Sequence, residues 1–129
     1  MTIRSITRAI IDEFVETARK RGQSPIVSFL PSSRDFPTYL RTDKWIYADL
    51  HADCRSRGYD CFDAGTALVR ELGAAQLQEV AAICRYFCPA QYLGGHYNGR
   101  GNEVLADVTV RYLAEHVTLI APASAGPRP

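Results

Sequence analysis

The chain has 129 residues, of which 47% are hydrophobic and 22% are charged, as in an ordinary globular domain with a packed core. The formal net charge is +1 with both signs interspersed, which excludes the basic surface of a nucleic-acid-binding protein and a charge-driven attachment to membranes. No apolar run reaches the roughly 18 residues of a membrane-spanning helix. From the charge and from the lack of such a run together, we expect neither nucleic acid nor a membrane as partner.

The N-terminal part of the chain predicts a helix followed by a strand. Apolar side chains at helical spacing, centred on Ile10, predict an amphipathic helix from about Ile3 to Arg21. The apolar run at residues 25–30 is typical of a strand that is covered on both faces. Residues 31–37 then predict a loop at the carboxyl end of this strand, which is where open α/β sheets bind their ligands.

The rest of the chain continues with helical and strand patterns. These predict a helix from about Asp43 to Arg57, a strand at Tyr59–Phe62, a helix from about Thr66 to Leu72, a helix at Gln76–Tyr86, a helix from about Gly101 to Glu115, and a third strand or helix extension at Val117–Ile120.

This order of elements predicts an α/β fold. We expect one domain over residues 1–120, built on a small parallel sheet of two or three strands with helices on both faces. Residues 121–129 are expected to be a disordered tail. A sheet this small leaves strand edges without partners, so we expect the chain to form a homodimer by joining sheet edges across a two-fold axis.

The four cysteines bear on location and on metal binding. Residues 1–8 lack the apolar core of a signal peptide, which favours a cytoplasmic location with reduced thiols. Cys84, Cys88 and His96 could meet around a zinc ion, or the cysteines could be free and buried. Because the spacings match no zinc module, we expect free cysteines, no metal site and no cofactor.

One short segment carries most of the functional information. His96 lies in a glycine-rich turn, residues 94–101, directly before a strongly patterned helix. The flanking glycines permit positive φ and close packing, and a histidine held in such a turn can act as a general base near neutral pH. The alternative is a tight turn in which His96 only hydrogen-bonds a carbonyl group.

The block Gly95-His96-Tyr97-Asn98-Gly99-Arg100-Gly101-Asn102 resembles the last sequence block of the SGNH/GDSL hydrolases, in which a catalytic histidine precedes a helix. The resemblance covers about residues 11–115, with this block as its specific part. It implies the C-terminal half of a flavodoxin-like hydrolase domain with His96 as the catalytic base. Leu93 and Gly94 stand where the family usually has its orienting aspartate, and the Gly-Asp-Ser block of the nucleophile is absent.

A hydrolase would need other residues to supply the missing groups. Asp35 and Asp63 at strand ends are candidates for the orienting acid, although aspartate at such positions is more often a helix cap or a turn residue. Ser32 or Ser33, in the loop after the first strand, could replace the nucleophile.

Three functions stay open, and whether the chain is an enzyme depends on the choice among them. The first is a truncated SGNH hydrolase-like domain, inactive alone, that keeps the histidine turn of an esterase or acetyl hydrolase. The second is a small α/β ligand-binding or protein-interaction module that takes a small molecule beside residues 30–35. The third is an independent hydrolase with a substitute nucleophile. The predicted binding residues beside His96 are Ser32, Arg34, Tyr97 and Asn98.

Overall fold

A computed structural model gives the architecture of the chain and describes residues 2–73, 77, 85–87 and 95–116. None of the helices within these ranges combines the length and the apolar content that crossing a bilayer requires. The elements are α1 (Ile3–Lys20), β1 (Ile26–Phe29), α2 (Asp35–Thr42), α3 (Ala48–Ser56), β2 (Asp60–Asp63), α4 (Ala64–Leu72) and α5 (Gly99–His116).

The two strands pair in parallel, with Ile26 opposite Asp60 and Phe29 opposite Asp63. The predicted fold class, a small parallel sheet surrounded by helices, is confirmed. The expectation that β1 is covered on both faces is wrong, because Ser28 in its middle is exposed. The predicted third strand at Val117–Ile120 and the tail at 121–129 lie outside the described residues, as does most of the helix predicted at Gln76–Tyr86.

Helix α1 forms where the sequence predicts it. Thr2 and Ser5 make a reciprocal capping box, in which the Ser5 N–H donates to the Thr2 hydroxyl at 3.2 Å and the Thr2 N–H donates to the Ser5 hydroxyl at 2.9 Å. The helix buries Val15 and Ala18 against the rest of the domain. Its wider apolar stripe, centred on Ile10, stays exposed.

The region between the strands differs from the prediction. Residues 31–37 are only partly a loop, because α2 already begins at Asp35. Pro37 lies in the first turn of α2, where its missing N–H removes no helical hydrogen bond. Helix α2 ends before Asp43, whose φ of 52° does not fit a helix. The helix predicted to begin at about Asp43 therefore begins only at Ala48, as α3.

Cys54 and Cys61 form a disulfide, so the expectation of free thiols is wrong for this pair. Cys54 lies in the last turns of α3 and Cys61 in β2, and the tight turn between them brings their Cα atoms to 6.4 Å. This separation falls in the range that a disulfide can bridge. Cys84 and Cys88 lie outside the described residues.

Two buried clusters hold α5 and the segment before it in place. Phe36 packs edge-on against Trp45 and Phe87, with ring centroids 5.3 and 5.5 Å apart, which ties α2 to residues 85–87. Phe62 of β2 and Val108 of α5 belong to a second cluster with residues of α4. The sheet and α4 therefore fix the position of α5.

Candidate functional site

The turn that carries His96 rests on the loop after β1. Gly95 has φ of +95°, a conformation that favours glycine. A Cβ atom at Gly95 would overlap the hydroxyl oxygen of Ser33, and the Ser33 N–H donates to the Gly95 carbonyl at 3.5 Å. The side chain of His96 is exposed. The structure therefore brings the loop and the histidine turn together and leaves the imidazole open to solvent.

Tyr97 anchors this turn from the inside. Its hydroxyl donates to the Pro31 carbonyl at 2.7 Å, and its ring packs on Phe87 with centroids 4.6 Å apart. Burial raises the pKa of the Tyr97 phenol well above its ordinary value, so it stays a proton donor. These contacts give Tyr97 a structural role, since they hold the turn against the loop after β1 and against Phe87. Its role in ligand binding stays a prediction.

Asn98 caps α5 and uses its side chain fully in doing so. Its Oδ1 accepts the Gly101 N–H at 2.9 Å, and its Nδ2 donates to the Arg85 carbonyl at 2.9 Å. Its own N–H donates to the Tyr86 carbonyl at 3.0 Å. A ligand would have to displace these bonds to reach the Asn98 amide, so the helix cap is the role that the geometry supports.

The loop after β1 is organised by Asp35. Its carboxylate accepts the Ser32 N–H at 2.7 Å and the Ser32 hydroxyl at 3.0 Å, which fixes the start of α2. Arg34 precedes α2 and its side chain is exposed. Asp63 likewise caps α4, so both aspartates considered as orienting acids act as cap or turn residues. Among the described residues, His96 has no hydrogen bond to a serine or a carboxylate.

A separate cleft of about 300 Å³ lies along β2, and the sequence did not predict it. It touches both Cys61 and Phe62, whose side chains point to opposite faces of the sheet, so the cleft follows the edge of the strand. No residue of β1 lines it. Its walls include His51 and Arg55 from α3, Ala67 and Arg70 from α4, and Val108 and Tyr112 from α5.

Two of the arginines in this cleft are available to a ligand. Arg111 forms an ion pair with Glu71 at 2.7 Å and is thereby neutralised. Arg55 and Arg70 have no ion pair within the part of the chain that the structure describes. Such guanidinium groups bind carboxylate or phosphate oxygens through paired, charge-assisted hydrogen bonds.

The aromatic wall of the cleft is fixed by hydrogen bonding and stacking. Tyr112 donates a short hydrogen bond to the Asp60 carboxylate, and its ring stacks on Phe62 at 4.4 Å and on His116 at 4.2 Å. Burial, followed by the Asp60 hydrogen bond, raises the pKa of Tyr112 to about 12. The phenol therefore stays protonated at neutral pH and remains a donor to Asp60.

His51 closes one end of the cleft against the backbone of β2. Its Nε2 lies 3.4 Å from the Cys61 carbonyl oxygen, and its ring meets Phe29 edge-on at 5.4 Å. A carbonyl oxygen can only accept, so this contact requires a proton on Nε2.

A weak signal for the cleft is present in the sequence. Arg70 and Glu71 follow Thr66 and Ala67 at helical spacing, so all four belong to one face of α4. The sequence does not say that this face meets α3 and α5, because that depends on tertiary packing.

Comparison with protein-family models, with curated proteins and with solved structures gives no match. The functional argument therefore depends on the geometry of this chain.

Proposed function

We propose that this chain is a small α/β ligand-binding module whose site is the cleft along β2. The observation that carries the proposal is the cleft itself, at about 300 Å³ the lower end of the sizes that hold small molecules. The lining that the structure describes is mixed: Phe62, Ala67 and Val108 are apolar, whereas three arginines, three carboxylates and two histidines supply polar and charged groups. This proposal corresponds to the second function that the sequence left open, a ligand-binding module. Its site is the cleft along β2 and not the loop at residues 30–35.

The lining indicates which chemistry the ligand has. Ala67 and Val108 offer apolar contact to a compact ring or a short aliphatic body. Arg55 and Arg70 approach from α3 and α4 and are suited to a carboxylate or phosphate group.

Three carboxylates also line the cleft within the part of the chain that the structure describes. Glu71 is paired with Arg111, and Asp63 accepts hydrogen bonds from Thr66 and Tyr47. Arg55 and Arg70 then face Glu115 alone among these described acids, and a small organic anion fits this balance of charge.

Binding of phenyl phosphate and benzoate, with benzyl alcohol as the neutral comparison, tests the proposal by isothermal titration calorimetry. We expect the two anions to bind more tightly than the alcohol. Arg55→Ala or Arg70→Ala should weaken anion binding about tenfold or more, because each removes a charge-assisted hydrogen bond. Arg41→Ala is the matched control, since Arg41 is an exposed arginine of α2 outside the cleft. Equal binding by all three variants would contradict the proposal.

A hydrolase related to the SGNH/GDSL group is the second candidate, and one contact favours it. Ser33 packs against Gly95, the residue before His96 in the chain. The exposed His96 side chain is also accessible to a nucleophile on another chain, as a truncated hydrolase half requires. Both versions stay hypotheses.

A fluorophosphonate probe separates the version with Ser33 as nucleophile from the truncated half and from the binding module, both of which predict no labelling. Labelling that is lost in Ser33→Ala and in His96→Ala, but kept in Ser24→Ala, would support Ser33 as the nucleophile; Ser24 is an exposed serine after α1. We expect no labelling of this chain alone, because no hydrogen bond joins His96 to a serine among the described residues. Labelling of Ser33 would overturn that expectation.

A further inference from the structure

Helix α1 carries an apolar stripe that the domain does not cover. Four large side chains on one side of the helix are exposed: Ile3 (85%), Ile6 (44%), Ile10 (62%) and Phe14 (50%). With Thr17 they make five residues at helical spacing, and the charged Glu13 lies at the edge of this side. We refer to these five residues as the α1 stripe.

From this surface we infer that the α1 stripe pairs with the same stripe of a second copy, antiparallel and across a two-fold axis at Ile10. The spacing is symmetric about that residue, because Ile6 and Phe14 lie four positions to either side and Ile3 and Thr17 lie seven. An antiparallel pairing through Ile10 therefore sets Ile6 against Phe14 and Ile3 against Thr17 of the other copy. A self-complementary surface of this kind is what a two-fold interface requires.

The shape of the surface agrees with this pairing. A groove of about 360 Å³ lies at the C-terminal half of the stripe. It is lined by Ile10, Phe14 and Thr17 of the stripe and by Glu13, Ala18, Arg21 and Gln23. The N-terminal half carries the protruding isoleucines, of which Ile3 is the most exposed. The two-fold operation brings the protruding half of each copy onto the grooved half of the other.

The area is sufficient for a dimer. At about 150–200 Å² for a large apolar side chain, the exposed fractions amount to roughly 400 Å² for each copy, within the size of patches that are often functional. Two copies then cover roughly 800 Å² of apolar surface, which places the contact at the lower end of interface sizes and makes a reversible dimer the expected result.

This surface replaces the sheet edge as the expected site of self-association. The edge of β2 lies in a cleft with walls from α3, α4 and α5. The α1 stripe is open along its length, and burying it removes apolar surface from water.

Sedimentation equilibrium of the full chain, from low to high micromolar concentration, tests the inference. We expect a reversible dimer that Ile10→Lys abolishes, because the two-fold axis brings two lysines together. Ile46→Lys is the matched control: Ile46 is 77% exposed before α3 and lies outside the stripe, so this variant should dimerise as the wild type does. Ile10→Cys, which is small and uncharged, should give a covalent dimer on mild oxidation, whereas Ile46→Cys should not.

Circular dichroism of each variant confirms that it is folded. A wild-type monomer at the highest concentration would overturn the inference. So would a dimer that Ile10→Lys leaves intact, because the interface would then lie elsewhere. Loss of the dimer in Ile46→Lys as well would show that the effect is not specific to the stripe.

Discussion

Gly101→Ala is expected to lower the free energy of unfolding by about 3 kcal/mol, since an added methyl group has no room at this position. A Cβ atom on Gly101 would overlap the carbonyl oxygen of Tyr86 and lie 3.0 Å from its carbon. The obstacle is backbone, so α5 would have to move away from residues 85–87. That movement would break the hydrogen bond from the Asn98 N–H to Tyr86 and release the His96 turn.

Gly99→Ala is the matched control for this effect. Gly99 lies two residues earlier at the start of α5, and a Cβ atom there meets nothing within 4 Å. We expect this variant to be unchanged or stabilised by up to about 1 kcal/mol, because alanine favours helix more than glycine does. Chemical denaturation of both variants measures the difference. Equal stabilities would show that α5 does not approach Tyr86 as closely as the structure has it.

Asp63→Ala is expected to cost about 3 kcal/mol through two separate losses. The Asp63 carboxylate caps α4 by accepting the Thr66 N–H at 3.0 Å and the Thr66 hydroxyl at 2.7 Å. It also accepts the hydroxyl of Tyr47 at 2.8 Å. Burial, with a contribution from Asp63, raises the pKa of Tyr47 far above its ordinary value, which indicates how poorly water can replace the lost acceptor.

Two further substitutions give stabilities with which that of Asp63→Ala can be compared. Asp63→Asn keeps one side-chain oxygen and should lose less than half as much stability as Asp63→Ala. Asp107→Ala removes an exposed carboxylate of α5 that has no side-chain hydrogen bond among the described residues, and should stay within about 0.5 kcal/mol of the wild type. Thermal unfolding ranks the three variants. A loss at Asp63 no larger than at Asp107 would contradict the role of Asp63 as cap and acceptor.

Elements with a local signal could be predicted from the sequence. The periodicity around Ile10 predicts α1, and the apolar runs before Pro31 and around Phe62 predict the two strands of the sheet. The proximity of Ser33 to the His96 turn agrees with the expectation that the neighbouring Ser32 and Arg34 lie beside His96. These features depend on residues that are near each other in the chain or on general rules of α/β topology.

Features that depend on distant contacts could not be predicted. Pro37 looked like the end of a loop, although proline is equally acceptable in the first turn of α2. The disulfide was missed because reduced thiols were expected from an assumed location. The exposure of Ile10 was missed because a helical stripe does not say whether the domain or another molecule covers it. The cleft forms only where α3, α4 and α5 pack around β2, and the sequence of a short segment does not predict such tertiary packing.

One signal was present and not used. Asn98 stands three residues before Gly101, which is the spacing of an N-cap side chain and the N–H group that it accepts. This spacing identifies Asn98 as a helix cap and places the start of α5 at Gly99. A conspicuous block of residues can therefore be explained by helix capping and tight packing, without a reaction.

An amide chemical-shift map of a titration with phenyl phosphate tests the ligand-binding cleft most directly. We expect the perturbed amides to cluster at Ala67, Arg70, Val108 and Tyr112, with the Gly95–Asn98 turn unchanged. Perturbation confined to that turn, or none at saturating phenyl phosphate, would contradict the cleft along β2 as the binding site.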